Sequence, residues 1–148
     1  MISLHVFSRG KCSEILRAAE EIGITGMGHT RVEFSNSATA AFQGVCLAVV
    51  VLSDSSLEIK KEVISLISRL RERQPNCRVI AMSSQITERV GVEALISGAD
   101  DFVCADWEQV NWKALLQQRL LLWKNLLEIQ IQRDTKVSNV AKNNRSMA

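Results

Sequence analysis

The sequence predicts a single α/β domain built on a doubly wound parallel sheet, and three observations carry that prediction. The first is Val45 to Val51, VCLAVVV, an unbroken apolar run that Leu52 extends. It is far short of the about 20 residues needed to cross a bilayer. It is rich in valine and is followed at once by polar, helix-starting residues, which is how a central parallel strand buried on both faces reads. The second is a fivefold alternation of strand-like and helix-like segments, the pattern of a parallel sheet with helices on its faces. The third is size and composition. A chain of 148 residues with 47% hydrophobic and 23% charged residues fits one globular domain with a core of its own.

Taken in order, Ile2 to Phe7 is a first strand, and Ser8, Arg9 and Gly10 turn the chain. Cys12, Ile15, Leu16, Ala19 and Ile22 then recur at helical spacing, with Gly23 placed to stop the helix. Gly26, Met27, Gly28 and His29 read as a loop, because a lone GxG after a helix is no dinucleotide fingerprint. Thr30 to Phe34 reads as the second strand, and Ser35 to Ser37 can cap a short helix over Ala38 to Phe42. The central strand leads into Ser55-Ser-Leu-Glu58, a capping box in which hydroxyl and carboxylate exchange bonds with each other's backbone amide. Ile59, Val63, Leu66, Ile67 and Leu70 form the apolar stripe of the helix that follows. Arg69, Arg71 and Arg73 suit its C-terminal dipole, and Pro75 ends it. Arg78 to Met82 is the fourth strand, Ile86 to Gly98 covers a helix and its stop, and Asp101 to Cys104 is the fifth strand. A last helix is expected from about Glu108 to about Gln132, roughly 37 Å long.

The polar remainder reads as a mobile tail. The expected division is therefore a domain over 1–124, a helical extension over 125–132 and a disordered tail over 133–148.

Charge and cysteine content narrow the function classes. The net charge is +2, but residues 133–148 alone carry +3, so the body is close to neutral. A neutral body gives no electrostatic warrant for nucleic acid, which calls for a basic face. Cys12, Cys46, Cys77 and Cys104 form no CxxC pair and three of them sit in or beside strand-like runs, as reduced cysteines of a cytoplasmic protein do. The start of the chain lacks the apolar stretch of a signal peptide. Leu115 to Leu127 is broken by Gln117, Gln118, Arg119, Lys124 and Asn125, so it is no membrane span. His5 and His29 have no partner at ligand spacing, and no Ser/His/Asp arrangement can be placed. No metal site, cofactor or catalytic residue is therefore expected.

Three stretches together resemble the receiver domain of two-component response regulators. One is the apolar strand ending at Ser53-Asp54, with the arginine-rich helix and Pro75 behind it. Another is Arg78-Val-Ile-Ala-Met-Ser-Ser84. The third is Ala94-Leu-Ile-Ser-Gly-Ala-Asp-Asp-Phe-Val103. The likeness covers residues 1–124. It implies a flavodoxin-like, five-stranded parallel sheet of order 2-1-3-4-5. It also implies phosphoryl transfer to an aspartate, with Mg²⁺ held by an acidic pair after strand one and by the acceptor. A hydroxyl after strand four and a lysine after strand five complete the family's site.

Here the acidic pair is replaced by Phe7, Ser8 and Arg9, and the lysine position falls on Ala105. The acceptor falls on Ser53 in a gapless alignment and on Asp54 with a shift of one. Ser83 keeps the hydroxyl, and Phe102 keeps the family's aromatic switch position. Serine and arginine are poor Mg²⁺ ligands, and without cations the charge of a forming acyl phosphate is left unstabilised. The expectation is a pseudo-receiver with a degenerate pocket formed by Ser8, Arg9, Ser53, Asp54, Ser83 and Ala105. It would act by contact with a histidine kinase or another signalling protein.

Each residue also has a plainer reading. Asp54 can simply favour a helix N-terminus, or pair with Arg9 where a metal would sit. Ser83 and Ser84 can satisfy local backbone, Phe102 can be core, and Asp100 and Asp101 can shape their turn. Two other functions stay open: a phosphorylatable receiver using Asp54, and a transcription-linked regulator whose basic tail touches DNA. The last helix carries more apolar residues than one core-facing stripe needs. Trp112, Leu116, Leu120, Trp123 and Leu127 are the expected homodimer interface, with the helix over 86–97 as a neighbouring surface.

Overall fold

The computed structural model describes residues 2–8, 11–29, 45–52, 57–83, 88–104, 108 and 111–146. The strands are β1 (Ser3–Phe7), β2 (Gly26–His29), β3 (Cys46–Leu52), β4 (Cys77–Ser83) and β5 (Asp101–Cys104). The helices are α1 (Cys12–Glu20), α2 (Leu57–Arg73), α3 (Glu88–Ser97) and α4 (Trp112–Ser146). All strand pairs are parallel and the sheet order is β2-β1-β3-β4-β5.

The unbroken apolar run earns its place at the centre because both of its faces are covered. Cys46, Ala48 and Val50 join Leu66, Ile67 and Leu70 of α2 and Ala94 of α3 in one buried cluster. Leu47, Val49 and Val51 point the other way and join Ile15 and Ala19 of α1 and Leu116, Leu120 and Leu127 of α4. Side chains alternate along a strand, so an apolar residue is needed at every position of a doubly covered one. Ile59 and Val63, and the short helix expected over Ala38 to Phe42, fall outside the described residues or side chains.

The second strand departs from expectation. The strand paired with β1 is Gly26–His29, which the GxG spacing predicts as a loop, while Thr30 to Phe34 lies outside the described residues. Steric fit explains the glycine. A Cβ on Gly26 would stand 2.8 Å from the Leu4 carbonyl oxygen and 3.1 Å from Leu16 Cδ2, so α1 lies directly over this strand.

The last helix departs more. It runs 35 residues to Ser146, roughly 52 Å at 1.5 Å per residue, where a tail was expected beyond about Gln132. No glycine or proline interrupts Trp112 to Ser146, so nothing in the chain breaks the helix. Its burial also corrects the expected interface. Leu116, Leu120 and Leu127 are buried in the domain's own core, with Trp112 and Trp123 packed against it. A second set, Leu115, Leu122, Leu126 and Ile129, is left 41–46% exposed. The apolar excess thus divides between an inward stripe that serves folding and side chains left outside, Leu121 and Val137 among them.

Two clamps fix α4. Gln117 Nε2 donates to the Ala18 carbonyl at 2.9 Å and to Glu21 Oε2 at 2.9 Å, and Lys113 pairs with Glu21. On the other flank, Trp123 Nε1 donates to Asp101 Oδ2 at 3.0 Å, with Arg119 Nη1 3.7 Å from the same oxygen.

Candidate functional site

In an open parallel sheet, ligands meet the C-terminal strand ends where the strand order reverses. Here α1 covers one face and α2 the other, so the reversal lies between β1 and β3. Phe7 is level with Val50, and Leu52 with Ser83. Ser8 and Ser83 therefore stand at the ends of the two strands that flank β3, both buried. Arg9, Ser53, Asp54 and Ala105 lie outside the described residues, as do Ser84 and the capping box over 55–58 apart from the backbone of Leu57 and Glu58.

Ser8 is engaged locally. Its Oγ accepts the Lys11 amide at 3.1 Å, and its carbonyl accepts the Cys12 thiol at 3.1 Å. The hydroxyl closes the turn that opens α1, satisfying an amide that the helix leaves without a partner. The roles of Lys11 and Cys12 were missed from sequence, because α1 has no side-chain cap and the serine that serves its turn lies three residues before Lys11. Of the positions that the resemblance assigns to Mg²⁺, Ser8 does not fit: it is neutral, buried and already bonded. Among the described residues, no three His, Cys, Asp or Glu side chains could hold a metal ion together.

Phe102 is partly buried. It sits level with Ala81 and packs on the α2-side cluster, as a core reading requires. Asp100 and Asp101 shape their turn, as expected. Asp100 Oδ2 accepts the Val79 amide at 2.8 Å and pairs with Arg71, while Asp101 Oδ1 accepts the Phe102 amide at 2.8 Å. Arg71 Nε also donates to the Gly98 carbonyl at 3.0 Å, locking the end of α2 to the α3–β5 turn. This cluster lies at the opposite end of the sheet from Ser8 and Ser83.

The four cysteines are free. Cys46 and Cys77 are register partners on β3 and β4 and fully buried. Contact with Cys46, burial and nearby Asp100 hold the Cys77 thiol well above the ordinary cysteine range.

No family model matches the sequence, and no curated protein matches it. Solved structures do. A response regulator receiver domain protein from Methanospirillum hungatei superposes with TM-score 0.64 at 13% identity, covering 90% of this chain and 98% of that one. An orphan response regulator of H. pylori gives 0.60 at 19% identity, over 81% and 94% of the two chains. A protein described as an atypical orphan response regulator with a phosphorylation-independent regulatory mechanism gives 0.57 at 18%, over 78% and 96%.

The chain has the receiver fold.

Ser83 is the last residue of β4, and Ser8 follows the last residue of β1. The long α4 extends well past the sheet. A seven-residue strand such as β3 is roughly 23 Å long, which Trp112 to Leu127 already matches. Residues 132–139 are exposed.

Proposed function

We propose that this chain is a pseudo-receiver, a non-catalytic signalling module that passes information by protein contact rather than by a phosphoryl mark. The observation that carries the reading is Ser8. At the end of β1 it offers a neutral hydroxyl, buried and bonded to Lys11 N, where phosphoryl transfer needs anionic oxygens to hold a divalent ion. The receiver fold supports a signalling role, and one neighbour of that fold is described as working independently of phosphorylation. The partners would be a cytoplasmic signalling protein, such as a histidine kinase, and a second copy of the chain. The exposed stripe of α4 supports pairing, because four half-exposed apolar side chains on one helix are costly to leave in water. Among the described residues, no helix is long and apolar enough to cross a membrane.

A second reading, a phosphorylatable receiver using Asp54, is favoured by one observation. Ser83 lies level with the end of β3, beside where the acceptor would be. Incubation with acetyl phosphate and Mg²⁺, followed by intact-mass and peptide mass spectrometry, separates the two. The pseudo-receiver shows no phosphoryl adduct, whereas a stable adduct on Asp54 establishes the second reading instead.

A further inference from the structure

A hollow opens where the last helix passes the lower end of the sheet. Ile2 and Thr25 stand just before β1 and β2, at the end of the sheet opposite Ser8 and Ser83. With Gly23 and Ile24 of the turn after α1, and Lys124 and Glu128 of α4, they line a cavity of about 390 Å³. A smaller hollow of about 200 Å³ shares Ile2 and Glu128 and adds Ile131 and Gln132. The larger one falls in the size range of small-molecule sites. Its floor is apolar, since Ile24 is 3% exposed and Ile2 packs on the same core cluster. Its polar side chains come from Thr25, Lys124 and Glu128. Among the described residues, none of these three side chains takes part in a hydrogen bond or ion pair.

The three form a chemically specific set: a hydroxyl, a cation and an anion over an aliphatic floor. Lys124 and Glu128 are one helical turn apart, with Cβ atoms about 5–6 Å from each other. Lysine before glutamate is the weaker order for an ion pair along a helix, which leaves both charges available to a ligand. The turn after α1 is also the C-terminal end of that helix, where the dipole favours a cation. We infer that this hollow binds an α-amino acid with an aliphatic side chain. Its carboxylate meets the Lys124 ammonium, its own ammonium meets the Glu128 carboxylate at the carbonyl end of α1, and its side chain lies on Ile2 and Ile24. The charges of an α-amino acid share one carbon, a spacing that two flexible side chains on adjacent turns can bracket. A simple anion would face Glu128 and a simple cation would face Lys124, so each is disfavoured by a like charge. A bound ligand ties the α1–β2 turn to α4 beyond the Trp123 clamp, giving the helix a small-molecule input. The inference goes beyond contact-based signalling and does not depend on it, because the hollow lies at the other end of the sheet from Ser8.

The probe is L-leucine, titrated into the full isotope-labelled chain and followed by amide chemical shifts. It is expected to bind with a Kd of about 0.1–1 mM, with saturable shifts at Gly23, Ile24, Thr25 and residues 124–128. Glycine lacks the apolar body, leucinamide the carboxylate and isocaproate the ammonium; each is expected to bind at least about tenfold more weakly. Lys124→Gln and Glu128→Gln are each expected to weaken leucine by a similar factor, with circular dichroism confirming that both fold. The losses should cross: Lys124→Gln leaves the residual affinity for leucinamide no weaker, and Glu128→Gln leaves that for isocaproate no weaker. Shifts that fail to saturate well above the expected range overturn the site. Leucinamide or isocaproate binding as tightly as leucine overturns the zwitterion, and glycine doing so overturns the apolar floor. Parent affinity for leucine in both variants overturns the assignment of Lys124 and Glu128.

Discussion

Trp123 donates its indole N–H to the Asp101 carboxylate at 3.0 Å, tying the middle of α4 to the first residue of β5. The bond joins residues 22 apart in sequence and selects which side of a helix apolar on more than one side faces the sheet. Trp123→Phe keeps most of the packing and removes the donor. The expected cost is about 1–2 kcal/mol, read as a lower urea midpoint with an unchanged m-value. A midpoint within error of the parent would mean that Arg119 and the Phe102 amide satisfy Asp101 unaided.

Gly26 is fixed by closeness. Its position in β2 leaves 2.8 Å between an added Cβ and the Leu4 carbonyl oxygen, a backbone atom that cannot swing away. Gly26→Ala is expected to push β2 and α1 apart at about 1–3 kcal/mol. Calorimetry reads the loss as a lower Tm, and hydrogen exchange should localise it to β1, β2 and α1.

The four thiols divide by burial. Cys12 and Cys104 are partly exposed, while Cys46 and Cys77 are covered, with Cys77 held in its protonated form by its neighbour and by burial. The thiolate is the reactive form, so native alkylation should mark Cys12 and Cys104 within minutes and spare the pair until the domain unfolds. Labelling of Cys77 at the rate of Cys104 would contradict the closed packing of β3 against β4.

Glu21 makes α1–α4 docking sensitive to acid. Hydrogen bonds from Lys113 and then Gln117 hold its carboxyl below the ordinary value of 4.5. A group whose folded pKa is depressed adds stability above its unfolded value and loses it as pH falls through the folded one. Thermal melts should therefore show a small fall in Tm below about pH 4.5 that Glu21→Gln lacks. The effect is expected to shrink in high salt, because the pair is exposed.

The strands at the centre and far edge of the sheet were legible in sequence. β3 must be apolar at every position because helices cover both faces, and β5 is bounded by aspartates that bond their own turn. The hydroxyl at Ser83 and the core position of Phe102 could also be read, since both lie at fixed offsets within strands. Ser8 was visible as the start of the turn after the first strand, but its bond to Lys11 was not. That bond depends on how the chain turns into α1.

Sequence by itself determined that this chain would wind helices around a parallel sheet and end in a helix with more apolar surface than its core needs. Composition and period carry that much, because burial demands it locally. Only the tertiary structure decided that Leu116, Leu120 and Leu127 go inward while Leu115, Leu122, Leu126 and Ile129 stay outside. The helix repeat offers either set, and the choice is made by contacts with α1 and β5 that bring together residues distant along the chain. The second strand was settled the same way, since glycine at Gly26 reads as a loop until α1 is seen lying against it.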